Sequence, residues 1–250
     1  VSRASLHNLS YIEGLNLKIG DNITVYKANM IIPQIAGNLT KSNTLEYPKY
    51  CPVCNSKSEV VKSNEVKYLY CTNDLCKAKL LKRLVLFTSR NAMNIEGLSD
   101  AILDRFIDED LIRSYKDLYH LDNFKEKIIN FDGFGLKSYN NLINSINNSR
   151  NIKLANFIYS LGINEIGLSR AKLICNKYNN DFDIIRNLTL EELSNIDGIG
   201  EVIAKEWIDA FSNEDFNKEV DDLLEEITFI DSNNDVEEKL KDKVFVITGS

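Results

Sequence analysis

The sequence contains no apolar run near the roughly 20 residues that a membrane-crossing helix requires, and no secretory signal pattern opens it. It lacks an initiator methionine, starting Val1-Ser2-Arg3. It stops on Thr248-Gly249-Ser250, directly after a strand-like apolar run. Both ends lead us to expect a piece of a longer polypeptide. Neither apolar residues nor charges are scarce: 44% of residues are hydrophobic and 27% charged. Those proportions suit globular domains and exclude wholesale disorder.

Histidine is rare, with only two residues in 250. His120 follows Leu118-Tyr119 in a helical stretch, has no partner motif, and reads as structural. Cysteine is also sparse at five, yet four of the five form C-x2-C-x16-C-x4-C at Cys51, Cys54, Cys71 and Cys76. Closely spaced cysteine pairs place their sulfurs on one metal, and two such knuckles complete a tetrahedral site. Pro52 stiffens the first knuckle, and Thr72-Asn73-Asp74 supplies turn chemistry to the second. A catalytic zinc keeps a ligand position open, whereas four thiolates close the shell. We therefore expect a structural zinc ion. Two disulfides are the rival, and they need an oxidising compartment for which no export signal speaks. Cys175, in a helical pattern, reads as a buried apolar filler.

The net charge of −7 is unevenly spread. Residues 1–84 carry +6, residues 85–210 carry −5, and residues 211–250 carry −8. A basic head suits a polyanion; the acidic remainder does not. Before the cysteines the pattern is of short strands. One follows the Gly20-Asp21 turn, and another, around Met30–Ile35, contains Pro33 and so suits an edge. Such strands fit either a small barrel of the oligonucleotide-binding type or a generic β-domain. Glu65–Tyr70 reads as a strand leading into Cys71.

From residue 80 the pattern becomes helical. Leu81, Leu84, Val85 and Thr88 share one face, as do Ile203, Trp207, Ile208 and Phe211, which marks Trp207 as core. Between helices a glycine turn recurs. It appears as Ile95-Glu96-Gly97-Leu98-Ser99, Phe131-Asp132-Gly133-Phe134-Gly135, Asn164-Glu165-Ile166-Gly167 and Ile196-Asp197-Gly198-Ile199-Gly200. The period of 32 to 36 residues signals a repeated unit of helix, hairpin and helix. A Gly-x-Gly turn exposes backbone N–H groups, and the next helix N-terminus adds its own. Together they form an anion cradle without basic side chains. A plain hairpin with capping glycines is the alternative. Units two and four keep both glycines. Ser99 replaces the second glycine in unit one, and Glu165 the first in unit three, where a carboxylate would repel phosphate. Lys137 lies within reach of a phosphate on the second hairpin. Residues 213–241 are acidic, and Val220, Leu223, Leu224 and Ile227 give them an amphipathic helix followed by a linker.

Taken in order, these motifs resemble the C-terminal half of bacterial NAD-dependent DNA ligases. Val1-Ser2-Arg3-Ala4-Ser5-Leu6-His7-Asn8 is similar to the opening of that family's oligonucleotide-binding (OB) domain. The segment from Gly20-Asp21 through Lys27 to Pro33 is similar to its next signature, with Asn29-Met30 in place of the usual Gly-Asp. The cysteine finger follows, then Thr88-Ser89-Arg90-Asn91-Ala92-Met93-Asn94-Ile95-Glu96-Gly97-Leu98, then the hairpins. Lys243-Val244-Phe245-Val246-Ile247-Thr248-Gly249 is similar to the first strand of a BRCT domain.

The resemblance implies a multidomain α+β chain: a small β-barrel of the OB-fold in 1–48, a zinc finger in 49–80, all-α helix-hairpin-helix repeats in 81–212, an acidic helix and linker in 213–241, and the start of a BRCT domain in 242–250. It implies a monomer of the bacterial cytoplasm that acts on nicked duplex DNA at the nucleoid, whatever the sequence, without touching membranes. In that family a lysine takes AMP from NAD, passes it to the nick's 5′-phosphate, and the 3′-hydroxyl displaces it with magnesium assisting. The lysine belongs to a Lys-x-Asp-Gly motif. Here Asn130 and Asn195 stand two positions before Asp132-Gly133 and Asp197-Gly198, so no catalytic residue is assigned. The adenylation domain is expected before Val1 in the same polypeptide. Candidate DNA contacts are Arg3 and Lys27 in the barrel, and Gly97, Gly133, Gly135, Lys137, Gly167, Gly198 and Gly200 in the hairpins. His7 reads equally as a DNA contact or a packed residue. A non-catalytic zinc-containing repair scaffold and a zinc-stabilised interaction protein without nucleic acid are the competing functions.

Overall fold

The structure, a computed structural model, describes residues 2–42, 47–63 and 65–230. The expected BRCT strand and most of the linker lie outside these residues. The chain divides into two compact units at Lys79/Leu80.

The first unit is small and mostly β. Helix α1 (Leu9–Gly14) starts where the Asn8 side chain accepts the Tyr11 N–H at 2.9 Å, a capping bond that satisfies one orphan donor. Strands β1 (Ile23–Ala28) and β2 (Ile32–Asn38) pair antiparallel with an irregularity between Thr24 and Val25. Their connection places both Asn29 (φ 49°) and Met30 (φ 61°) in the left-handed region, as a type I′ hairpin turn demands. Pro33, opposite Lys27, is tolerated because each of these sheets has only edge strands. Strands β3 (Ser58–Ser63) and β4 (Val66–Cys71) form a second antiparallel pair with unbroken register from Ser58↔Cys71 to Ser63↔Val66. Helix α1 is tied to β4: Ser10 Oγ accepts the Lys67 N–H at 2.8 Å, and Lys67 Nζ reaches Glu13 at 3.0 Å. The described residues of this unit thus form two two-stranded sheets, and a closed barrel is not seen among them.

The second unit is helical, as its periodicity predicts. Helices α2 (Lys77–Thr88) and α3 (Asp100–Asp108) are followed by a 3-10 segment (Lys116–Phe124) and the short α4 (Lys125–Ile128). Then come α5 (Leu136–Ser149), strand β5 (Asn151–Ile152), α6 (Leu154–Ser160) and α7 (Leu168–Lys177). The short α8 (Phe182–Arg186) and α9 (Leu190–Ser194) lead to α10 (Glu201–Phe211), α11 (Glu214–Leu224) and strand β6 (Thr228–Phe229). One continuous core runs through it, and Trp207, Phe87, Phe106, Phe157 and Cys175 are buried there. Leucine and isoleucine make up most of it, with large aromatic side chains packed among them.

The acidic helix α11 buries Val220 and Leu223. Its other side, and the residues just after it, meet basic groups of the same unit. Arg83 pairs with Glu219, Lys116 with Glu225, and Arg186 with Asp221. Glu226 accepts from Arg150 at 2.6 Å and lies 2.8 Å from His120 Nε2. His120, which the sequence leaves without a partner, therefore helps to anchor this segment. Its backbone leaves helical geometry there (φ −118°, ψ 18°), a kink the sequence did not signal. Burial opposes ionisation of Glu226, but the Arg150 and His120 hydrogen bonds outweigh it and hold the carboxyl below its ordinary range. Beyond α11, β6 pairs in parallel with β5. No described helix is long and apolar enough to cross a membrane.

Candidate functional site

Four sulfurs converge in the first unit. The ligand atoms of Cys51, Cys54, Cys71 and Cys76 all lie within 4.8 Å of one another. Cys51 and Cys76 sulfurs are 3.9 Å apart, and Cys54 and Cys71 sulfurs 3.4 Å. A tetrahedral zinc with bonds of about 2.3 Å sets sulfur–sulfur edges of about 3.8 Å, so the donor set fits. All four are free thiols rather than disulfide partners. The knuckles are local constructions. Asn55, left-handed at φ 57°, turns the chain so that its N–H donates to the Cys51 carbonyl at 2.9 Å. Asn73 makes the second turn, its side chain accepting the Leu75 N–H at 2.9 Å. The antiparallel β3–β4 pair carries Cys71 back beside the first knuckle.

Electrostatics give the same answer. Hydrogen bonds from the Ser56 hydroxyl and N–H bring the Cys54 thiol down to about 6. At Cys71 the Asn73 N–H favours the thiolate, but burial and the neighbouring sulfurs of Cys54 and Cys51 outweigh it and push the thiol up to about 12. One anionic sulfur makes the next harder to ionise. A divalent cation removes that conflict and closes a four-thiolate shell.

In the second unit, the four hairpins share one backbone construction. Gly97, Gly133, Glu165 and Gly198 have φ of 93°, 82°, 61° and 86°. In the last three hairpins the N–H of Phe134, Ile166 and Ile199 donates to the carbonyl of Phe131, Ile163 and Ile196, at 2.9 to 3.1 Å. This is a β-turn with its third residue left-handed, where glycine is the least strained choice. Glu165 occupies that state despite its side chain, and its carbonyl and carboxylate both accept from Arg170. Sequence reasoning missed Arg170, which follows Glu165 by five positions and answers its charge.

The second hairpin position is the helix N-cap in all four units. Ser99, Gly135, Gly167 and Gly200 precede α3, α5, α7 and α10 with extended backbone. Ser99 caps its own helix, accepting the Ile102 N–H at 3.4 Å. No side chain caps α5, α7 or α10. Their first-turn N–H groups and partial positive charge therefore have no acceptor from a capping side chain. A Cβ added at Gly135, Gly167 or Gly200 would meet nothing within 4 Å. Neither backbone conformation nor packing requires glycine at these three positions.

The remaining expected residues divide between the units. Arg3, ahead of α1, and Lys27, on β1, are exposed in the first unit. Lys137, the second residue of α5, is exposed beside Gly135 in the second. His7 is exposed and left-handed (φ 52°), with its ring edge-on to Tyr11 at 5.0 Å.

Comparison with known proteins agrees with both halves of this description. Residues 1–46 match the family described as NAD-dependent DNA ligase OB-fold domain, and residues 156–220 match the helix-hairpin-helix motif. The chain is 50% identical to a DNA ligase of Lachnoclostridium phytofermentans and 47% identical to one of Ruminiclostridium cellulolyticum. A DNA ligase of Finegoldia magna is 39% identical. Each alignment covers 100% of this chain but 38% of the relative, so the chain spans little more than a third of their length. With an OB-fold match, a four-sulfur cluster and hairpins in the same order, the chain belongs to the NAD-dependent DNA ligase family, of which it carries the OB-fold, four-cysteine and helix-hairpin-helix regions.

Proposed function

We propose that this chain is the DNA-gripping, C-terminal part of a ligase that seals nicks between 3′-hydroxyl and 5′-phosphate ends in replication and repair. The observation that carries it is the set of uncapped helix N-termini behind glycines that the fold itself does not need. Hairpins two and four hold phosphates through backbone N–H groups, with Lys137 assisting at the second. Gly97 and Gly167 make weaker contacts, since Ser99 occupies one helix N-terminus and Glu165 sits before the other. Arg3 and Lys27 touch the backbone from the OB-fold domain. Phosphate contacts carry no base information, so the grip is independent of sequence.

Zinc is the structural ion of the Cys51, Cys54, Cys71 and Cys76 cluster. NAD supplies the adenylate, with magnesium assisting, and no residue here is assigned to either. The Lys-x-Asp-Gly nucleophile is absent from these 250 residues, so adenylation belongs to another domain of the polypeptide and this chain alone is inactive. We place the protein, as a monomer, on nucleoid DNA in the bacterial cytoplasm.

A titration of the 250-residue chain against a labelled nicked duplex, at several salt concentrations, tests the reading. Affinity should fall with salt, with a log–log slope of about −0.9 per neutralised phosphate, and should not depend on sequence. Absence of binding at low salt overturns it.

Glu165 gives a second test. Replacing it with glycine relieves a left-handed non-glycine residue, worth about 1 kcal/mol, and gives up an exposed ion pair worth about as much or less. Stability should therefore barely change. The removed carboxylate repels a phosphate about 4 Å away by about 1 kcal/mol in water, so Glu165→Gly should bind nicked duplex about fivefold more tightly. Unchanged affinity would mean that the third hairpin does not approach DNA.

A further inference from the structure

We infer that a cationic groove in the second unit, apart from the four hairpin tips, is an additional binding site for a DNA backbone phosphate. The inference rests on the DNA-binding reading above and extends it to side chains that no hairpin motif contains. The groove has a volume of about 500 Å³. Arg90, Lys153 and Lys172 line it together with the amides of Asn94, Asn156 and Asn176, and no carboxylate does.

That composition stands out against its surroundings. Residues 85–210 carry a net charge of −5, and seven cations of this unit are already committed. Arg83, Arg113, Lys116, Lys127, Arg150, Arg170 and Arg186 each hold a carboxylate partner. Arg90 and Lys172 are exposed and pair with no carboxylate among the described residues. Two cations without a carboxylate partner, with the amides of Asn94 and Asn176 beside them, around a concavity free of acids form a site for an anion; the Asn156 amide is already spent on the Asn91 carbonyl at 2.8 Å. Bringing cations together costs Coulomb energy unless an anion offsets it.

Its position points to DNA rather than to a small free anion. Asn94 also lines the neighbouring groove, which holds Gly97 of the first hairpin and Gly133 of the second. The cationic groove thus continues the surface those hairpins present. Lys172 stands on α7, the helix that the third hairpin launches. In that hairpin the carboxylate of Glu165 weakens the phosphate cradle. Lys172 therefore supplies, one turn into the helix, a contact that the hairpin itself does poorly. Arg90 reaches the same groove from the turn after α2, where Ala92 N–H donates to the Ser89 carbonyl at 3.0 Å.

The test is a salt titration of nicked-duplex binding by the 250-residue chain carrying both Arg90→Gln and Lys172→Gln. Both side chains are exposed, and the thermal melt should stay unchanged. If the groove holds phosphate, the log–log salt slope flattens by about 2, and affinity at 50 mM salt falls roughly tenfold per contact. The charge-conserving pair Arg90→Lys and Lys172→Arg should keep the native slope. If the native chain binds and the glutamine variant binds equally well with an unchanged slope, the groove proposal is overturned while the hairpin reading stands. A variant that binds more tightly also overturns it. A native chain that binds no DNA at low salt removes the hairpin reading and this one together.

Discussion

Replacing Cys71 with serine should cost the protein its zinc and unfold the four-cysteine region, while the helical unit keeps its fold. A structural zinc site contributes roughly 10–16 kcal/mol of binding free energy in isolated finger peptides. That exceeds what two two-stranded sheets supply, since an isolated strand pair is marginal in water. The sheet that carries Cys71, β3–β4, has no other extensive core to replace the metal. The second unit contains none of the four ligands, and its apolar core is continuous. Calorimetry of the native chain treated with a chelator, and of Cys71→Ser, should therefore lose one transition and retain the other. Metal analysis should fall from one zinc per chain to none. Lowering the pH should have the same effect, because every ligand must be a thiolate and Cys71, metal-free, holds its proton up to about 12. A Cys71→Ser protein with one zinc and the native melting profile would refute the structural role.

The second large effect is expected at Gly135 and Gly200. Both are N-cap residues with extended backbone and open space where a side chain would stand. Aspartate is among the best N-caps, better than glycine by a few tenths of a kcal/mol. Gly135→Asp with Gly200→Asp should therefore leave stability equal or slightly higher. The same carboxylates would occupy the N–H groups meant for phosphate and repel the phosphate itself. We expect nicked-duplex affinity to fall at least roughly a hundredfold at low salt, from two lost phosphate contacts. Gly133 and Gly198 are poorer probes. They need positive φ, so a side chain there strains the turn and confounds binding with folding. A stable double variant with native affinity would reduce these hairpins to helix caps.

Legibility in the sequence followed the range of the interactions. Cysteine spacing, the Gly-x-Gly period and the apolar faces of α2 and α10 are local patterns. The structure places their residues as those patterns require: sulfurs clustered, glycines in turns, Trp207 and Leu84 buried. Short strands were legible too, down to the edge position of Pro33. Barrel closure was not, because it depends on pairing between strands far apart in sequence, and the described residues stop at β1 with β2 and β3 with β4. The partner of His120 was not legible for the same reason, since Glu226 lies more than a hundred positions away.

The sequence by itself determined the four-cysteine cluster, the number and spacing of the hairpins, and the order of motifs that marks the family. Each of these rests on contacts within a few residues or on a count. Tertiary structure alone decided that Glu165 adopts the glycine conformation, that Ser99 closes one helix N-terminus while Gly135, Gly167 and Gly200 leave theirs open, and that Arg90 and Lys172 share one acid-free groove. Backbone dihedrals, free donors and converging charges depend on where packed helices bring distant residues, and no local pattern encodes that.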